Sequence, residues 1–272
     1  MRMHPFSIEQ TMQLGHRSEA PDRARQAGRR PQASVPLGPE AASFGQPPAQ
    51  WPRSDARARP AHRIVALDAM RLHGPSYSVL DGVTSLLLTH VLRHSPGALK
   101  WRNGSGELSH LEPGGVFLNQ GRMDSLVEVS PSPPEDPCDC VRVVLRTRPG
   151  TDLALRYEAN DFLFCNSPQA CVRVLLGSYR GHVARSSPMP DLTLLDIDIA
   201  PFSEIEIPVS GDQFVLAILT SGSLTTPAST GEPWHAMVFQ GGGPSVRLAT
   251  HTGASVLWLG VMDPQAAAKP QT

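Results

Sequence analysis

Lysine is almost missing from this chain: Lys100 and Lys269 stand against 22 arginines. Aromatic residues make up 6% of the sequence, and cysteine occurs four times in 272 residues. That is too little cysteine for the disulfide framework of a small secreted scaffold. Cys138 and Cys140 form C-x-C, while five residues separate Cys165 from Cys171, so neither pair has zinc-knuckle C-x-x-C spacing. The four read as reduced intracellular thiols. No unbroken apolar run approaches the ~20 residues of a membrane-spanning helix. The opening residues, punctuated by Arg2, His4, Pro5 and Glu9, do not read as a secretory signal. A net charge of −1 and a pI near 6.8 give no global electrostatic case for nucleic acid or membrane. Long amphipathic helical periods are also lacking, which argues against a doubly wound α/β enzyme.

What is present falls into two textures. Residues 1–62 are rich in Pro and Gly, with no apolar period of 2 or 3.6, and read as a disordered extension. Up to residue 63, ten arginines face five acids, an excess of five positive charges, so the remainder carries −6. An Arg-rich, acid-poor start is one form of mitochondrial presequence, but Glu9, Glu19 and Asp22 sit early in it. The compartment expected is therefore cytoplasmic or nuclear, with mitochondrial as the alternative. From Arg63 onward, short apolar runs recur between Gly, Pro, Ser and Asn clusters, as in β-sandwiches and barrels. Strands are expected over 64–67, 83–88, 116–118, 141–145, 172–176, 192–199, 204–207, 214–219, 236–239, 246–249 and 255–261. Alternation is cleanest where Leu195, Ile197 and Ile199 take one face and Asp196 and Asp198 the other. Gly241-Gly242-Gly243 follows a strand and precedes Pro244, so it reads as a hairpin turn rather than a phosphate cradle. Trp101 lies in a Gly/Ser-rich insertion over 95–106, either as a contact on its own barrel or as an interface anchor.

The run from 80 to 128 carries a family likeness. Asp81-Gly82-Val83-Thr84, then Glu112-Pro113-Gly114-Gly115-Val116, then Gln120-Gly121-Arg122 leading to Glu128, resembles the first metal-binding barrel of the pirins. Further elements follow in family order. They are Val141-Arg142-Val143-Val144-Leu145, Arg156-Tyr157, Val172-Arg173-Val174-Leu175-Leu176-Gly177, Leu195-Asp196-Ile197-Asp198-Ile199 and Glu206-Ile207-Pro208-Val209. The resemblance runs collinearly over about 200 residues. It implies an all-β bicupin: two antiparallel jelly-roll barrels, over 63–150 and 151–264, after the disordered extension and before a short tail over 265–272.

The same resemblance implies an iron site of three histidines and one glutamate, but here those positions hold Pro75, Tyr77, Leu126 and Glu128. Proline and leucine offer no side-chain ligand, and tyrosine is no ordinary substitute for imidazole at iron. Only Glu128 keeps its ligand type. The expectation is that no metal or cofactor is bound and that the former ligand positions line the barrel. The chain would then be a non-catalytic binding or scaffold protein with a protein partner. One alternative is a quercetinase-type iron dioxygenase with relocated ligands drawn from His73, His90, His94 or His110. A second is a small apolar ligand held in the N-terminal barrel.

Overall fold

In the computed structural model the described residues are 31–36, 63–78, 85–102, 108–121, 127–146, 153–184, 189, 191–210, 213–226, 230–239 and 243–262. They form four stacked β-layers. The outermost is a four-stranded sheet ordered β3 (Ser76–Ser78), β8 (Val127–Ser132), β5 (Ala98–Arg102), β6 (Leu108–Leu111). Against it lies a five-stranded sheet ordered β10 (Leu153–Tyr157), β7 (Val116–Gly121), β4 (Ser85–Val91), β9 (Cys138–Arg146), β2 (Ile64–Leu72). The third layer has seven strands, ordered β1 (Pro31–Pro36), β20 (His235–Phe239), β17 (Phe214–Gly222), β22 (Ala254–Val261), β15 (Leu192–Ile199), β12 (Ala170–Leu176), β11 (Leu163–Asn166). The fourth has β16 (Ser203–Pro208), β21 (Ser245–Thr250), β18 (Leu224–Thr225) and β19 (Thr230–Gly231). A hairpin of β13 (Ser178–Tyr179) and β14 (His182–Val183) stands apart from these sheets. Each barrel is thus a pair of opposed open sheets, as in a jelly roll, rather than one closed sheet.

Three cores separate the four layers. Met70, Leu99, Trp101, Leu111 and Cys140 fill the first barrel, and Ile197, Ile207, Val215, Leu248 and Trp258 the second. Between the barrels, Leu88, Val143 and Leu145 meet Leu194, Leu216 and Leu259. The two inner sheets are therefore buried on both faces. This is why 214–219 reads as an unbroken apolar run, with every side chain no more than 1% exposed. The outer β16 alternates instead, Ile205 and Ile207 inward and Glu204 and Glu206 outward.

The seam between the barrels also carries charge. On β15, Leu195, Ile197 and Ile199 enter the second core, as the alternation predicts, but Asp196 faces the first barrel rather than water, and the half-exposed Asp198 meets Arg93 of that barrel. Asp196 accepts from Arg173 on β12, its register partner, and its Oδ2 lies 3.9 Å from Nε2 of His90 on β4. Asp198 pairs with Arg93 and accepts from the Ser255 hydroxyl at 2.8 Å. Arg63 pairs with Asp191 and donates to the Met262 carbonyl at 3.1 Å. Gly114 makes room for this cluster: its φ is +86°, and a Cβ there would lie 2.9 Å from Nη1 of Arg173.

Several expectations change. Residues 31–36, inside the extension read as lacking regular structure, pair with β20 at the edge of the second barrel. β10 lies beyond residue 150 yet pairs with β7, so the first barrel extends to Tyr157. β20 and β21, on either side of the glycine run, belong to different sheets and do not pair with each other; Gly241 and Gly242 lie outside the described residues. The insertion over 95–106 contains β5, whose Trp101 packs inward on Phe117 with ring centroids 4.5 Å apart.

Candidate functional site

The positions implied by the resemblance fall on β3, β8 and the residues beside them. Tyr77 and Glu128 are direct register partners across the β3–β8 pair, which sets their Cα atoms about 4.5–5.5 Å apart. Pro75 is exposed just before β3. Leu126 lies outside the described residues, as do Asp81, Gly82, Val83 and Thr84. The backbone thus brings two of the four positions together.

The histidines weighed as relocated ligands do not converge. His73 and His94 are exposed. His110 sits by the β6 turn with its Nδ1 3.2 Å from a Glu112 carboxylate oxygen. His90 is fully buried, but it shares its face of β4 with Leu86 and Leu88 and so points into the seam. Its Nδ1 lies 2.9 Å from the Gly115 carbonyl, an oxygen that also accepts from the Val91 amide at 3.2 Å. The Pro-Gly-Gly turn thereby fixes the ring. Burial lowers the His90 pKa to about 4 despite the opposing Asp196 charge, so the ring is neutral near pH 7. With Nδ1–H donating, its Nε2 lone pair faces the Asp196 carboxylate.

Sequence reasoning missed a polar row inside the first barrel. Asp68, Arg142 and Thr89 are register neighbours on β2, β9 and β4, and each is at least nine-tenths buried. Arg142 lies two residues beyond Cys140, which belongs to the first core, so the row faces the barrel interior. Burial lowers the Arg142 pKa to about 10, opposed by the Cys140 and Asp68 sites, and the guanidinium stays charged at neutral pH. Cys138 and Cys140 line the same face of β9. Hydrogen bonding from Cys140 and burial push the Cys138 pKa far upward, so it remains a thiol. The available signal was Arg142 in an otherwise apolar run, 141–145, opposite the lone acid of β2.

Does this donor set fit iron? Proline and leucine give no donor, tyrosine stands where imidazole belongs, and one carboxylate alone is a poor transition-metal site. Among the described residues no group of three His, Cys, Asp or Glu side chains is placed to hold a metal ion. The described helices include none long and apolar enough to cross a membrane.

No family model and no curated protein sequence matches the chain. Solved structures do. A quercetin 2,3-dioxygenase from Acinetobacter baumannii superposes with a TM-score of 0.68 at 14% identity, covering 87% of this chain and 88% of that one. The protein GK1651 from Geobacillus kaustophilus gives 0.65 at 16% identity, covering 90% and 99%. The bacterial pirin YhhW from Escherichia coli, in complex with nickel(II), gives 0.55 at 10% identity, covering 85% and 99%. The fold is that of a pirin-like bicupin. In this pirin-like frame the barrel holding Tyr77 and Glu128 is the N-terminal one. The apolar second barrel includes β1, from ahead of the first.

Proposed function

We propose that this chain is a pirin-like protein that has lost its iron site and acts as a non-catalytic binding or scaffold protein. The supporting observation is the register pairing of Tyr77 with Glu128. A tyrosine position is thus registered against the one remaining glutamate position, where the family resemblance calls for histidine. The first barrel's interior also already carries charges of both signs, since Arg142 and Asp68 are register neighbours. The recognition surface then lies outside the barrel interior, with the Arg-rich N-terminal extension as a ready contact segment for a protein partner.

Elemental analysis of the intact chain, purified without chelator, is expected to find no stoichiometric iron, manganese, copper or zinc; about one tightly held metal per chain overturns the proposal. Pro75→His, Tyr77→His and Leu126→His together should create weak Fe(II) or Ni(II) binding with Glu128, weak because the hydrogen bonds that orient ligating histidines are not restored with them. Pull-down with the full chain addresses the partner. The structural likeness to a quercetin 2,3-dioxygenase favours one rival, an iron dioxygenase with relocated ligands. Quercetin cleavage by the iron-supplemented wild type would establish that rival.

A further inference from the structure

A cleft of about 740 Å³ opens at one end of the second barrel, a size common among small-molecule sites, which span ~300–1,000 Å³. Its floor is the end of the barrel core, where Leu195, Ile207 and Trp258 line it. Thr193 and Gln213 form a polar wall. Gly260 leaves space for the Gln213 amide, since a Cβ there would lie 2.2 Å from its nitrogen. Among the described lining residues, Arg180 alone carries an ionised side chain.

Arg180 is held there by an unusual turn. Tyr179 and His182 pair across the β13–β14 hairpin, leaving Arg180 and Gly181 as a two-residue loop with φ of +46° and +83°. Two positive φ values match the type I′ geometry that Asn-Gly or Gly-Gly adopts readily. Arginine must instead bear the crowding of its Cβ in the left-handed region. The turn does not need it, so what arginine adds is its side chain. The guanidinium lies 5.3 Å over the Tyr179 ring and donates from Nη2 to the Glu206 carbonyl at 2.9 Å. The hairpin neck is fixed as well. The Ala184 amide donates to the Gly177 carbonyl at 2.9 Å, and a Cβ on Gly177 would lie 2.5 Å from the Leu192 carbonyl oxygen.

We infer that this cleft binds an amphipathic monoanion, its aromatic or aliphatic body on Leu195, Ile207 and Trp258 and its carboxylate or sulfonate on Arg180. The inference does not depend on whether the first barrel holds metal. The competing account is that Arg180 only staples the hairpin to β16 through the Glu206 carbonyl.

Two fluorescent probes separate these accounts: the anionic 8-anilinonaphthalene-1-sulfonate and the uncharged N-phenyl-1-naphthylamine, each titrated into the folded full chain. Saturable binding of the sulfonate at one site is expected. Arg180→Asn tolerates the same turn, and it should weaken sulfonate binding about tenfold or more, as loss of a charge-assisted hydrogen bond does, while leaving the neutral probe unchanged. Ser178→Trp, at an exposed position on the rim, should weaken both probes by filling the cleft. Sulfonate affinity unchanged in both variants, or equal loss of both probes in Arg180→Asn, overturns the inference. A lower Tm for Arg180→Asn with undiminished sulfonate binding assigns Arg180 to the staple role and overturns it too.

Discussion

The two barrels of this molecule are built on one plan and filled differently. Among the described residues, 22 buried apolar side chains form the second core and nine the first. The first barrel also encloses Asp68, Arg142 and Thr89, whereas the second keeps its charged pair, Arg173 and Asp196, outside its core in the seam. The second barrel's core is correspondingly apolar. Buried charged residues return little net stability compared with apolar residues of the same volume, so the first barrel's interior is not optimised for packing. That contrast teaches where each barrel keeps its buried charges: inside the first, and in the seam outside the core of the second.

The largest effect that would sharpen this contrast is expected in the second core. Trp258→Ala should cost about 5 kcal/mol in denaturant unfolding, near the top of the range for buried aromatics, and Trp101→Ala nearer ~3 kcal/mol, because fewer apolar neighbours surround it. A larger loss for Trp101 would reverse the comparison. Next come the interior charges. Asp68→Leu alone should cost about 3–5 kcal/mol by removing the carboxylate whose charge favours the buried Arg142 guanidinium, and adding Arg142→Met should recover part of it. A single-variant loss below ~1 kcal/mol would mean that water reaches the barrel interior.

A smaller, pH-dependent effect belongs to the seam. The folded-state pKa of His90 is lowered to about 4, chiefly by burial, with Asp196 opposing the shift and Arg173 and His94 assisting it. Its contribution is fully present above the unfolded value near 6.5 and is lost as pH falls toward about 4, amounting to about 3 kcal/mol. His90→Asn, which can still donate to the Gly115 carbonyl, should flatten the wild-type stability curve between those pH values. An unchanged curve would show that His90 is hydrated or protonated in the fold. The smallest expected effect is zero: a chelator should leave Tm unchanged, and a fall of more than about 5 °C would indicate a metal contributing to folding.

How much of this was legible follows from the layering. All eleven strands expected from apolar runs overlap observed strands, with Val83 and Thr84 of one of them outside the described residues, and most lie in the two inner sheets, where burial on both faces leaves a continuous apolar trace. The strands missed, such as β3, β5, β6 and β18, belong mainly to the outer sheets or are very short. A half-exposed strand of two to five residues leaves almost no periodic signal. The alternation in 192–199 was readable, but not what its polar face meets. Asp196 reads as solvent-facing until the first barrel supplies His90. Of the candidate site, Tyr77 and Glu128 lie 51 positions apart, and their adjacency becomes visible only in the β3–β8 register. The Asp68–Arg142 pairing joins residues 74 positions apart and becomes visible only in the β2–β9 register.

The pairing of β1 with β20 also has a consequence for biosynthesis. Pro36 meets His235, so this segment is made about 200 residues ahead of its partner, a long separation to close during vectorial synthesis. The first barrel can be complete on the ribosome while the last edge of the second is still missing. A truncation beginning at residue 37 would leave the β20 edge bare for other chains to join. A strand made ahead of the first barrel is thus needed to finish the second.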